Sequence, residues 1–218
     1  MKFICSQIMD VRLKHPFGAL IAGPSACGKT IFTSRLIKFR NEMVDVPFGE
    51  IIWCYSEWQQ FYDTLKEEGV IFHEGMPDLK TIPQRPTATL LILDDLMQEA
   101  NGSIVVDLFS RVSHHRNISV IHITQNVFHQ GKGARDISLN THYIVYFKNP
   151  RDGSQIFSLA RQIYPKNPKF LQEAYEDATQ KPHGYLLIDL KQSTPDTLRY
   201  RTEIFPDDEV QCFYQPRK

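Results

Sequence analysis

Residues 18–33 read GALIAGPSACGKTIFT, and this stretch decides the fold of the chain. It begins as an apolar run typical of a buried strand, continues with a segment that fits G-x-x-x-x-G-K-[ST], and ends with residues typical of a helix. In this setting glycine lets the backbone curl until successive N–H groups point at one anion, and the helix N-terminus adds partial positive charge. The stretch therefore predicts a binding site for the phosphates of a nucleoside triphosphate.

The loop between this strand and this helix supplies the expected ligand-binding groups. Lys29 is expected to reach the β- and γ-phosphates, and the hydroxyl of Thr30 is expected to bind Mg²⁺. The residues expected to surround the phosphates are Gly23, Pro24, Ser25, Ala26, Cys27, Gly28, Lys29, Thr30 and Ile31.

Polar side chains also end two later apolar runs. Asp94 and Asp95 follow Thr89–Leu93; the first carboxylate is placed to hold Mg²⁺, and the second to orient or deprotonate a water aimed at the γ-phosphate. A lone acid at the end of a buried strand is costly, which argues against an accidental pair. Gln125 follows Ile118–Thr124, where its amide could sense the γ-phosphate, position the water or only cap the strand.

Apolar runs alternate with helical patterns along the rest of the chain. Strands are predicted at residues 18–22, 50–55, 70–73, 89–93, 118–124 and 143–147, helices at 33–40, 56–66, 104–115, 155–164 and 168–179, and a closing hairpin at 185–190 and 198–205. This order predicts an α/β fold with a mostly parallel central sheet flanked by helices and a C-terminal β-hairpin. Together with the G-x-x-x-x-G-K-[ST] motif, it predicts a P-loop NTPase. No linker interrupts the pattern, so residues 1–218 are predicted to form a single domain.

The bulk composition is that of an ordinary globular protein. The 218 residues are 42% hydrophobic and carry a formal net charge of zero. No apolar run approaches the roughly 18 residues of a membrane span, and the N-terminus lacks the apolar core of a secretory signal. The 4 cysteines are widely spaced, which disfavours a disulfide framework or a zinc site and favours a reducing, intracellular compartment.

Charge is distributed unevenly along the chain. Between Glu42 and Asp107 there are 13 acidic and 3 basic residues, whereas between Leu108 and Lys169 there are 9 basic and 2 acidic residues. Such asymmetry can mark a surface that binds nucleic acid, and it can equally be a solvated surface matched to an acidic neighbour.

The motifs resemble those of a known superfamily. Residues 116–126, RNISVIHITQN, resemble the arginine-strand-TQ signature of the FtsK–HerA superfamily of DNA-pumping ATPases. Four further segments resemble poxvirus-type genome-packaging ATPases, above all those of Polinton/Maverick elements and adintovirus-like viruses; they are SHHRN at 113–117, FHQGKG at 128–133, FKNPRD at 147–152 and HGY at 183–185. This likeness covers nearly the whole chain.

The resemblance implies a function and a set of roles. Members of this family hydrolyse ATP with Mg²⁺, assemble into a ring, and drive double-stranded DNA into a preformed capsid. Carried over to this chain, the resemblance implies catalytic roles for Lys29, Asp95, Gln125 and Arg116. It also implies that Thr30 and Asp94 bind the metal. Arg116 would act across the subunit interface, with Arg111 and Arg135 as rival candidates. The expected setting is inside a host cell, in the nucleus or cytoplasm, or on the virion, with a capsid or portal protein as partner.

Several assignments stay open from the sequence. The loop from Phe128 to Arg135, with Lys132 beside its glycines, could contact the DNA backbone without reading sequence or be a plain surface loop. His114 and His115 are neighbours that would point about 100° apart on a helix, which disfavours a metal site. The aromatic residues Trp53, Tyr55 and Trp58 are expected to pack in the core, although one of them could stack on adenine.

Two other functions remain as alternatives to a DNA-packaging motor. A small P-loop kinase would pass the phosphoryl group to a metabolite, and it would need an acceptor pocket. A non-catalytic, nucleotide-gated adaptor would bind the nucleotide without cleaving it, and the intact Lys29, Asp94 and Asp95 argue against this reading.

Overall fold

The computed structural model describes residues 2–3, 10–78, 86–96, 103–109, 117–128, 137 and 139–217. The strands in this part of the chain are β1 Lys2–Phe3, β2 Gly18–Ala22, β3 Phe48–Tyr55, β4 Val70–Glu74, β5 Ala88–Asp94, β6 Ile118–Thr124, β7 Tyr143–Phe147, β8 Tyr185–Asp189, β9 Tyr200–Thr202 and β10 Cys212–Tyr214. The helices are α1 Lys29–Lys38, α2 Arg40–Met43, α3 Asp63–Lys66, α4 Ser103–Asp107, α5 Ser154–Ile163 and α6 Pro168–Ala178. None of the helices described is long and apolar enough to cross a membrane.

All of these strands belong to one sheet with the order β1-β10-β9-β8-β7-β2-β6-β5-β3-β4. The six strands from β7 to β4 are parallel, and β8, β9, β10 and β1 continue the sheet with antiparallel pairings. Every residue of β2, β5, β6 and β7 is buried, as expected for strands that helices cover on both faces. The predicted mostly parallel α/β sheet with an antiparallel end is therefore confirmed.

Helices cover the two faces of the sheet through alternate residues of its strands. On one face, Ile21 of β2 belongs to the same buried cluster as Phe32 and Leu36 of α1. On the other face, Leu20 of β2 clusters with Leu171 of α6 and with residues of α5. Successive side chains of a strand point to opposite faces, so one short strand anchors both layers and holds the loop that follows it.

The prediction of a helix from Ser56 to Lys66 is wrong for the first half of this segment. Gln59 is extended, with φ −110° and ψ 135°, and only a 3₁₀ turn at Gln60–Tyr62 and the short α3 follow. The aromatic side chains explain the difference, because Tyr62 stacks on Phe72 of β4 with ring centroids 5.3 Å apart. Of the helix expected at 104–115, residues 110–115 lie outside the described residues.

The C-terminal end of the sheet holds more strands than the expected hairpin. β8 and β9 form the antiparallel pair, and β10 extends it by pairing with β9. A buried ion pair joins Asp189 Oδ2 of β8 to Arg201 Nη2 of β9 at 3.1 Å.

Candidate nucleotide-binding site

Three strand ends meet at one edge of the sheet. β6 lies between β2 and β5, with Ala22 opposite Thr124 and Asp94 opposite Ile123. Because the three strands are parallel, the phosphate loop, Gln125 and the aspartate pair emerge side by side. The strand that carries Gln125 thus separates the strand of the phosphate loop from the strand of the aspartate pair.

The phosphate loop follows β2 and turns directly into α1. Gly28 precedes the helix with φ +111°, a backbone conformation that favours glycine. A Cβ added to Gly23 would lie only 2.7 Å from Cys27 Sγ and from Phe147 Cβ, so a side chain has no room there. Ala26 adopts φ +61° between the two glycines. These features produce the tight curl that aims backbone N–H groups at an anion.

Lys29 lies half-buried over this loop. Its Nζ donates hydrogen bonds to the carbonyl oxygens of Gly23 at 2.7 Å and of Pro24 at 2.9 Å. The ammonium group is thereby placed at the start of the loop, beside the first turn of α1, whose N–H groups carry partial positive charge. This side of the site suits the negative charge of a phosphate chain.

A cavity of about 260 Å³ connects the three strand ends. It is lined by Ser25, Ala26, Lys29, Thr30, Gln59, Asp94, Asp95, Ile123, Thr124 and Gln125. The cavity thus unites the phosphate loop, the aspartate pair and the amide that the sequence analysis selected separately. Gln59 was not selected, because nothing in its local sequence distinguishes it.

Asp94 is a buried carboxylate, 6% exposed, at the end of β5. Burial raises the pKa of its side chain, whereas the hydrogen bond that Tyr62 Oη donates to Asp94 Oδ2 at 2.8 Å lowers it. Burial also raises the pKa of the Tyr62 hydroxyl, so that group stays protonated as a donor. The sequence predicts only a helix at 56–66 for this segment and carries no sign of this contact.

The environment of Asp94 fits a divalent cation. Among the described residues, no Lys or Arg forms an ion pair with this carboxylate, and Asp95 beside it raises its pKa further. A buried carboxylate in this setting is stabilised by a positive charge, and oxygen ligands are those that Mg²⁺ prefers. Asp94 and the hydroxyl of Thr30 line the same cavity and are the residues that would hold Mg²⁺.

Asp95 and Gln125 differ from Asp94 in exposure. Both side chains are exposed and line the cavity beyond the ends of β5 and β6. Asp95 has a left-handed backbone, with φ +54°, which costs of order 1 kcal/mol and is concentrated at functional positions. An exposed carboxylate at the cavity wall is accessible to water, as a general base must be.

Other predicted residues lie elsewhere or outside the described part. Arg116, Arg111, Lys132, Arg135, His114 and His115 fall outside the described residues. Trp53 is fully buried, and Tyr55 and Trp58 pack against Tyr62 and Phe72. These three aromatic residues therefore support Tyr62 by packing, and none of them lines the cavity.

Comparisons with known proteins bear on the fold. No protein-family model matches the sequence, and no curated protein does. The genome packaging NTPase B204 from Sulfolobus turreted icosahedral virus 2, solved in complex with ATPγS, resembles the chain with a TM-score of 0.51 and 12% identity, over 92% of this chain and 98% of that one. The cytoplasmic domain of the Type VII secretion ATPase EccC from Thermomonospora curvata has a TM-score of 0.50 and 12% identity, over 93% of this chain and 24% of that one. The fold is thus that of the P-loop NTPases, and fold alone does not define function.

Proposed function

We propose that the chain is an ATPase that binds ATP with Mg²⁺ where β2, β6 and β5 end. The observation that carries this proposal is the single cavity that Lys29, Asp94, Asp95 and Gln125 share. An assay with γ-labelled ATP tests it by following where the label goes. Release as inorganic phosphate supports an ATPase, transfer to a metabolite would indicate a kinase, and binding without release would indicate an adaptor.

Five residues of the cavity have roles in hydrolysis under this proposal. Lys29 neutralises charge on the β- and γ-phosphates. Asp95 orients a water and accepts its proton as the water oxygen attacks the γ-phosphorus in line and the bond from that phosphorus to the leaving ADP breaks. Gln125 contacts the γ-phosphate or the water and so distinguishes ATP from ADP. Thr30 and Asp94 would hold Mg²⁺, which would neutralise charge on the phosphate oxygens.

We further propose that hydrolysis drives double-stranded DNA into a viral or virus-like capsid. Support comes from the family motifs, from the basic region between Leu108 and Lys169, and from the shared fold with a genome packaging NTPase. In this proposal the chain forms a ring, and Arg116 reaches the ATP of a neighbouring subunit as an arginine finger. The loop from Phe128 to Arg135 contacts the DNA backbone, and a capsid or portal protein receives the ring inside the host cell.

Double-stranded DNA of random sequence is expected to raise ATP turnover. Phosphate contacts carry no sequence information and weaken with salt, so stimulation should be independent of sequence and decline between about 50 and 200 mM salt. Phosphate release, measured together with the oligomeric state by light scattering, checks this. Heparin serves as a polyanion control. DNA-independent turnover by a strict monomer would contradict the proposed motor function and would leave the proposed ATPase activity standing.

Tyr62→Phe is expected to raise the Mg²⁺ concentration for half-maximal ATP hydrolysis by about 10-fold, the lower end of what losing a partner of a metal ligand costs. The substitution removes the hydroxyl that donates to Asp94 and leaves the ring packed on Phe72. The measurement is phosphate release over a Mg²⁺ titration.

Tyr214→Phe is the matched control for this substitution. Tyr214 Oη donates to Asp177 Oδ2 at 2.7 Å, a tyrosine–aspartate pair of the same kind that does not line the cavity. This variant should keep the Mg²⁺ dependence of the parent protein. An equal shift in both variants would mean that Tyr62 acts through general stability and not through Asp94.

A further inference from the structure

A second cavity of about 390 Å³ adjoins the phosphate loop. It shares Ala26, Lys29 and Thr30 with the cavity at the strand ends. Asp94, Asp95 and Gln125 do not line it; its other walls come from the phosphate loop, from α1, from the end of β7 and from His183 and later residues in the C-terminal part of the chain. Two cavities therefore meet at the loop that would hold the phosphates.

A bound triphosphate has two chemically different ends. If the γ-phosphate lies beside Asp94 and Gln125, the three phosphates run along the loop. The α-phosphate, which carries the nucleoside, then lies toward Gly28 and Ile31. The second cavity begins at those residues, and its volume falls within the range of small-molecule sites, about 300–1,000 Å³. The space is sufficient for a base and its ribose.

The walls of the second cavity suit an uncharged group. Ile31, on the first turn of α1, is 50% exposed and presents an apolar side chain to it. The guanidinium of Arg35 lies 4.1 Å from the centre of the Phe205 ring and pairs with Asp208 at 2.8 Å and with Asp207. Because two carboxylates balance the charge of Arg35, its side chain is a poor ligand for a phosphate. It is compatible with an uncharged group in the cavity.

His183 forms the polar part of the wall. Its Nδ1 lies 3.1 Å from the carbonyl oxygen of Cys27 in the phosphate loop; because a carbonyl oxygen can only accept, Nδ1 is the donor of this hydrogen bond, and Nε2 is left to bond a ligand. A Cβ added to Gly28 would lie 3.5 Å from His183 Cβ. The backbone of His183 is left-handed, with φ +62°, and a turn from Lys181 to Gly184 holds it.

We propose that this cavity binds the base and ribose of the nucleoside triphosphate, with His183 as the hydrogen-bonding residue and Ile31 as the apolar contact. The proposal rests on the proposed function, since it assigns the other end of the same ligand. It also gives a role to the HGY segment at 183–185, which contributes His183 and Tyr185 to the wall.

Comparison of ATP with inorganic tripolyphosphate tests the proposal, because the second ligand lacks a nucleoside. Calorimetric titration in the presence of Mg²⁺ gives both dissociation constants for the full chain. The parent protein should bind ATP at least about 10-fold more tightly than tripolyphosphate, since the nucleoside adds a hydrogen bond and an apolar contact. The ratio of the two affinities should fall about 3- to 10-fold in His183→Ala, as expected for one lost hydrogen bond, and about 3-fold in Ile31→Ala, which removes an apolar contact.

The chain offers matched controls for both variants. His73, exposed on the edge strand β4, has its Nδ1 3.3 Å from the carbonyl oxygen of Gly75, and Ile71 on the same strand is 50% exposed, as Ile31 is. His73→Ala and Ile71→Ala should keep the ratio of the parent protein. Thermal melts of all four variants check that each one is folded.

The possible outcomes separate this proposal from the proposed function. If the parent protein binds both ligands equally, the triphosphate site stands and the nucleoside cavity is overturned. If His183→Ala and Ile31→Ala keep the parent ratio while folded, the assignment of the cavity is likewise overturned. If the parent protein binds neither ligand, the proposed function itself fails.

Discussion

Lys29→Ala is expected to lower ATP turnover about 100- to 1,000-fold, the effect of removing one preorganised group that stabilises developing charge. That factor corresponds to about 2.7–4 kcal/mol of transition-state stabilisation. The ammonium of Lys29 already lies over the loop, bound to the carbonyls of Gly23 and Pro24. Little reorganisation is therefore needed when it binds phosphate oxygens, and alanine provides no substitute.

Phosphate release under single-turnover conditions measures this effect. Lys38→Ala is the matched control, since Lys38 is exposed in the last turn of the same helix and lines neither cavity. The control should keep the turnover of the parent protein. Retention of more than a tenth of the activity by folded Lys29→Ala would contradict the assignment of the phosphate loop.

Asp95→Asn is expected to lower kcat about 100- to 10,000-fold, the usual contribution of a positioned general base, while the protein still binds ATP. Asparagine keeps the size of the side chain and removes its ability to accept a proton. The exposure of Asp95 at the cavity wall allows a water to reach it. Binding should persist because Asp95 is not expected to hold the phosphates or the metal.

Two measurements together make this prediction specific. Rapid-mix phosphate release gives kcat, and calorimetric titration with ATP and Mg²⁺ gives the dissociation constant. Asp63→Asn is the control, because Asp63 lies in the first turn of α3 and does not line the cavity. A parallel loss of ATP binding in Asp95→Asn would assign this residue to the ligand or the metal instead of the water.

The central strands could be predicted from the sequence because burial on both faces leaves a continuous apolar run. Leu90 to Leu93 of β5 are nearly inaccessible to solvent, and the polar residue that follows marks the end of the strand. Parallel strands end at one edge of the sheet, so the apolar runs and their order along the chain together predict that Asp94 and Gln125 lie near each other. The short β10 has only three residues, which is too few for any period to be recognised.

The contacts that complete the site could not be predicted, since they join residues far apart in the chain. Tyr62 lies 32 residues from Asp94, and its local pattern is that of a buried aromatic residue. The extended backbone at Gln59 precedes a turn whose Tyr62 stacks on Phe72 of β4, a contact that local propensity does not report. His183 lies 156 residues from Cys27, and its left-handed backbone has no signature in the sequence.

The antiparallel direction of β8 has a consequence for synthesis of the protein. Because β8 is antiparallel to β7, the turn that precedes β8 lies at the edge of the sheet where the parallel strands end. His183 there leaves the ribosome 156 residues after Cys27. Because β2 pairs with β6 and β7, the sheet beneath the phosphate loop is complete only after Phe147 is synthesised, and the proposed nucleoside cavity, which includes His183 and Tyr185, can form only when translation has passed β8. A nucleotide bound in the proposed cavity would then favour the finished fold over partly synthesised chains, since a ligand stabilises only the state that binds it.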